Sequence, residues 1–131
     1  MLRILPVGFF VLAQTAIGTA AAPCPGPNPM IASVVVQNVT HGDLDKYHIV
    51  GTVVNWGQQQ ASNTLQFVDI YQDGVKLDSK GIPPLGHLQS TQFLYSWVRN
   101  PDADKFSTDL DFKIRMVQGS ACTPNDYKFT F

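Results

Sequence analysis

The chain has 131 residues, is 44% hydrophobic and 15% charged, and carries a formal charge of −1. That length suits one domain, and the near-neutral balance excludes the strongly basic face that nucleic-acid partners require. All ten acidic residues are Asp, so any mechanism built on a Glu, including an HExxH zinc site, is excluded too.

Residues 1–21 read as a secretory signal peptide. Arg3 supplies the positive start, an apolar centre runs from Ile4 to Leu12, and the small residues Gly18 to Ala22 follow. A cut directly before Pro23 is disfavoured, so cleavage is expected after Ala21, leaving one domain over 22–131. The apolar stretch is broken by Pro6 and again by Gln14 just beyond its centre, and falls short of the roughly 20 residues of a membrane span. No other run is long enough, so no span is expected in the mature chain.

An exported chain with two cysteines is expected to pair them, here Cys24 with Cys122. A free thiol, a metal-ligand pair and a nucleophile are the alternatives. A nucleophilic Cys needs a nearby His, and His41, His48 and His87 are all distant in sequence.

Beyond the leader there is no helical period. Short runs rich in Val, Ile, Phe, Tyr and Thr alternate with turn residues. Strands are predicted over Met30–Val39, Tyr47–Trp56, Leu65–Gln72, Val75–Ser79, Leu88–Val98, Leu110–Val117 and Tyr127–Phe131. Asp73-Gly74 is a tight hairpin turn between the third and fourth. Ile82-Pro83-Pro84 cannot lie in a central strand, because Pro lacks the N–H. Leu110, Phe112, Ile114 and Met116 fall on one face of their strand, with Asp111, Lys113 and Arg115 on the other. Seven short strands with frequent turns predict an all-β fold, a seven-stranded immunoglobulin-like or fibronectin-III-like β-sandwich.

Several segments resemble CARDB-type domains, bacterial adhesion-related modules of the immunoglobulin-like class. Val53-Val54-Asn55-Trp56-Gly57 is similar to their V-x-N-x-G second-strand ending. Val68-Asp69-Ile70-Tyr71-Gln72-Asp73-Gly74 is similar to their V-x-L-Y-x-D-G third strand and turn. Ile82 to Gly86, then Ser90, Phe93 and Trp97, resemble their V-P-x-L-x-x-G-x-S and aromatic strand, and Phe112 to Val117 their penultimate strand. The resemblance covers about residues 30–118. It departs at Gly119 to Asp126, where the family has an acidic turn and paired Asn. It implies the fold and a non-catalytic role, and carries over no ligand. Its pattern also puts Val68 and Ile70 in the core, with Phe67, Asp69 and Tyr71 facing outward or covering an edge.

If the strands alternate in direction, loops 58–63 and 83–87 lie at the end that holds both cysteines. Loops 40–46 and 100–108 then lie at the other end with the Asp73-Gly74 turn. The latter end gathers candidate cation ligands, His41, Asp43, Asp45, Asp102 and Asp104. Asp and His together suit Ca²⁺ or Zn²⁺, but Asp is also an ordinary turn residue, and the spacing lacks the Gly and Glu of an EF-hand. The other candidate surface is aromatic: Trp56, Phe67 and Tyr71, beside Gln58-Gln59-Gln60, could stack on sugars or anchor a protein. Capping of the core by Trp56 and Phe67 is the competing reading. No G-x-S-x-G elbow or phosphate loop is present. Asn38-Val39-Thr40 is a formal glycosylation acceptor with no meaning in a bacterial chain.

The sequence therefore predicts no cofactor and no catalysis. The expected role is a periplasmic or secreted binding or adhesion module recognising a protein or glycan of the bacterial envelope. The alternatives are a structural subunit of an envelope or surface assembly, or, less favoured, a metal-binding protein.

Overall fold

The computed structural model describes residues 26–99, 107–118 and 126–131. The expected signal peptide over residues 1–21, both cysteines, Asp102 and Asp104 lie outside the described residues. Seven strands form in order: β1 (Pro29–Thr40), β2 (Asp45–Asn55), β3 (Gln66–Gln72), β4 (Val75–Ile82), β5 (Ser90–Arg99), β6 (Asp109–Met116) and β7 (Asp126–Thr130). There is no helix among them, and hence none long and apolar enough to cross a membrane.

The strands make two antiparallel sheets, β1-β2-β5 and β4-β3-β6-β7. The expected sandwich is therefore present. Its fourth strand joins the third, whereas a constant-type immunoglobulin domain puts four strands in the sheet of the first and fifth. The sheets face each other across Ile31, Val34, Ile49, Val53, Phe93 and Trp97 from one, and Val68, Ile70, Ile82, Leu110 and Phe112 from the other. Phe93 and Phe112 meet across the middle with ring centroids 5.9 Å apart. Burying such apolar surface contributes roughly 25 cal/mol per Å².

Each strand prediction finds its strand, with differences at the ends. β4 runs on to Ile82, which the open rim of the sheet permits, and the two prolines end it. β2 ends at Asn55, and the Trp56 N–H makes one further bond in the same register, to the Asn28 carbonyl (3.0 Å) just before β1. β1 holds two irregularities, between Ile31 and Ser33 and between Val36 and Asn38. They shift the inward face along the strand, so Val34 is buried and Val35 exposed. At the hairpin both Asp73 (φ 49°) and Gly74 (φ 86°) are left-handed, the requirement of a type I′ turn that matches strand twist.

The second core layer is aromatic. Phe131 sits between Tyr47 (5.3 Å) and Trp97 (4.6 Å), with Phe129 4.7 Å away. The Trp97 Nε1–H donates to Gln72 Oε1 at 3.1 Å, so the buried indole keeps its hydrogen bond.

Candidate functional site

The alternation of β3 puts Val68 and Ile70 fully inside and turns Phe67, Asp69 and Tyr71 outward. Asp69 is nonetheless only 3% exposed. Arg115 from β6 lies across it, with Nε donating to Oδ2 at 2.7 Å and Nη2 to Oδ1 at 3.2 Å. The Ser79 hydroxyl donates to Oδ1 at 2.6 Å, and Lys76 Nζ stands 3.5 Å away. Burial pushes the Asp69 carboxyl up, but the Arg115 and Ser79 hydrogen bonds and the charges of Arg115 and Lys76 outweigh it, holding it below the usual carboxylate range. The same guanidinium covers the Phe67 ring (4.7 Å), and Lys113 covers Tyr71 (5.3 Å). Phe67 and Tyr71 are thus half-buried beneath cations on a self-neutralising sheet face.

Trp56 is elsewhere. It is 53% exposed, does not cap the core, and follows β2, a strand of the opposite sheet from Phe67 and Tyr71.

The end of the sandwich that carries Trp56 is built on amides. Asn55 is completely buried. Its Oδ1 accepts from the N–H of Asn28 (2.9 Å) and Gly57 (3.0 Å), and its Nδ2 donates to the carbonyls of Gln58 (2.8 Å) and Leu85 (3.0 Å). One side chain therefore ties together the segment entering β1 and the β2–β3 and β4–β5 loops. Gly57 is required because a Cβ there would collide with the Gly26 carbonyl and the Asn28 nitrogen. Behind Asn55, Gln60 and Gln66 exchange reciprocal amide bonds (2.8 and 2.7 Å), and Gln60 Oε1 also accepts from the Leu85 N–H (2.9 Å). Gln60 reads in sequence as one of three polar loop residues. Nothing in its type or spacing announces that it is buried.

This framework presents an apolar rim. Trp56, Leu65 and Leu88 are 53%, 55% and 56% exposed. Leu88 takes a left-handed backbone (φ 61°) that a Leu rarely adopts, held by its N–H donating to the Asn55 carbonyl at 2.7 Å. Two shallow depressions, about 360 and 410 Å³, adjoin at Ser62 and Pro84 between the two loops. One is lined by Gln59, Gln60 and Gln89, the other by Leu65, Phe67 and Pro83. The sequence singles out Trp56 but not Leu65 and Leu88, which it reads as the first residues of the third and fifth strands; both instead precede their strands on the connecting loops.

At the opposite end, the buried Asp45 carboxylate accepts from His41 Nδ1–H at 3.0 Å and stands in register with Arg99. Asp43 is exposed. Among the described residues no three His, Cys, Asp or Glu side chains come close enough to hold an ion.

No family model matches the chain, and no curated protein matches it in sequence. Solved structures do match it in shape. The crystal structure of the CARDB domain of the PF1109 protein from Pyrococcus furiosus, in complex with di-metal ions, superposes with a TM-score of 0.57 at 10% identity, covering 85% of this chain and 93% of that one. The solution structure of the same domain gives 0.50 at 12% identity, covering 81% and 95%. The chain therefore has the CARDB-type fold that its strand motifs resemble, and at these identities the likeness speaks for the fold.

Proposed function

We propose that this chain is an exported, non-catalytic binding or adhesion module of the bacterial envelope, periplasmic or secreted, which recognises a protein or glycan through its Trp56 loop end. The observation that carries the reading is the exposed trio Trp56, Leu65 and Leu88 on loops pinned by a buried Asn55. A tryptophan held on a rigid frame costs little ordering entropy on binding, which is what makes such residues anchors. The amides of Gln59 and Gln89, which line a depression at the same end, supply the polar contacts that a sugar or a peptide backbone would use. The CARDB-type fold supports the non-catalytic half of the reading.

The test is capture on the immobilised protein from envelope extract of the source organism, with Trp56→Ala and Tyr71→Ala columns in parallel. Saturable retention lost with Trp56→Ala and kept with Tyr71→Ala is expected. Retention lost only with Tyr71→Ala would move the site to the outer face of the four-stranded sheet, and no retention by any column would remove the reading.

A structural subunit of an envelope assembly is the second reading, favoured by a sandwich whose sheets both end in open strands. A cation at the end of His41, Asp43 and Asp45, as the di-metal complex of the Pyrococcus furiosus domain invites, is weighed by melting the protein with and without EDTA. An unchanged Tm is expected, because Asp45 is already taken by His41.

A further inference from the structure

We infer that this protein self-associates through β5, two copies pairing antiparallel about a two-fold axis at Leu94 to give one continuous six-stranded sheet. The inference rests on the strand edges and stands whatever the loop end binds.

Four strands lie at sheet rims: β1 and β5 in one sheet, β4 and β7 in the other. Rim strands offer unpaired backbone to any passing chain, and proteins blunt them with bulges, charges or shortness. β1 carries two register irregularities. β4 carries one, together with Lys76, Asp78 and Lys80. β7 has five residues, among them Asp126 and Lys128. β5 has none of these devices. It runs ten residues in unbroken register with β2, and from Ser90 to Val98 it contains no charge and no Pro. Leu94 is 66% exposed, and Val98 is exposed as well.

Backbone parity fixes how a second β5 would fit. The Asn55 N–H donates to the Gln89 carbonyl at 3.0 Å, and antiparallel ladders bond alternate residues. The odd residues of β5 therefore bond β2, and Ser90, Gln92, Leu94, Ser96 and Val98 turn their N–H and C=O groups to the rim. A two-fold axis at Leu94 sets Leu94 against its own copy, Gln92 against Ser96 and Ser90 against Val98. Every residue so paired is one whose backbone faces the rim, so the ladder closes without orphaned groups.

The side chains agree with this register. Val35 stands opposite Val50, and Val50 opposite Leu94, so one apolar row crosses the outer face and ends at the rim. Joining two copies at Leu94 continues the row across both. Charge selects β5 over β7, where the same operation about Lys128 would oppose Lys to Lys, and the irregularity in β4 interrupts a ladder there. Like charges directly opposite destabilise a strand pair. One strand pair buries less than a standard interface, so the association is expected to be weak and concentration-dependent.

Sedimentation equilibrium over roughly 1 to 500 µM, a range that reports weak affinities, tests this on the purified protein. Wild type is expected to move from monomer toward dimer with concentration. Leu94→Lys and Leu94→Asp are each expected to stay monomeric with unchanged circular dichroism, since the side chain is on the surface. An equimolar mixture of the two is expected to regain the dimer, because the two-fold then opposes Lys to Asp. Wild type that stays monomeric throughout, or Leu94→Lys that still dimerises, would overturn the proposal. A mixture that fails to recover would overturn the Leu94 register.

Discussion

Asp69 and Asp111 occupy the same sheet face and respond to protons in opposite directions. Asp69 is held ionised by Arg115, with its folded-state carboxyl below the ordinary value of about 3.9. Such a group contributes stability above the unfolded value and loses it as the pH falls through the folded one. Asp69→Asn is expected to cost about 1–2 kcal/mol at neutral pH, the low side of a charged hydrogen bond, because the half-exposed Arg115 is partly screened by water. Urea melts should show that gap closing in acid. Asp111 is pushed up instead, first by burial and then by the neighbouring Asp126, which Lys128 and Lys113 only partly offset. A raised carboxyl binds its proton more tightly when folded, so this site gains stability as the pH drops from the folded value toward the unfolded one. Asp111→Asn is expected to leave the protein as stable or more so at neutral pH, measured in the same melts.

At the scale of the elements, the tightest constraint is between β2 and β5. Gly51 pairs with Phe93, and a Cβ on Gly51 would lie inside the Phe93 ring. Gly51→Ala is expected to destabilise by about 1–3 kcal/mol, the usual cost of overpacking a core. Adding Phe93→Leu should recover part of that loss, a non-additivity that a double-mutant cycle reads directly. The strands themselves were legible because period-2 alternation is strong where one face is wet, as in Leu110 to Met116. It is weak in Val34-Val35-Val36, where three consecutive apolar residues hide the irregularities that decide which one is buried. The Asp73-Gly74 turn was legible because its chemistry is local. The burial of Asp69, Gln60 and Gln66 was not, since each is satisfied by partners distant in sequence, Arg115 and Pro83 among them. The candidate site was half legible: Trp56 stands out by type, whereas Leu65 and Leu88 acquire meaning only from the loops that Asn55 binds together.

At the scale of the molecule, residues close in sequence to the two cysteines bond one and the same loop. Cys24 precedes Gly26, whose carbonyl accepts from Gln58 (3.1 Å), and Cys122 follows Val117, whose N–H donates to Leu65 (2.9 Å). The β2–β3 loop touches both segments, which supports pairing the two thiols as proposed. Closing a loop of roughly 100 residues is worth about 4–5 kcal/mol in the chain-entropy picture. Reduction is expected to lower the Tm while the β signal in circular dichroism persists, and two titratable thiols in the untreated protein would refute the bridge. The order of the strands has a kinetic consequence as well. β1–β2 and β3–β4 are local hairpins, but the sheets are completed by β2–β5 and β3–β6, whose partners Asp69 and Arg115, for example, are 46 residues apart. These two closures interlock: β3 must be passed before β5 arrives, and β5 before β6. Neither sheet can finish alone, so the chain should refold as a single slow cooperative event, on the order of milliseconds to seconds, rather than sheet by sheet.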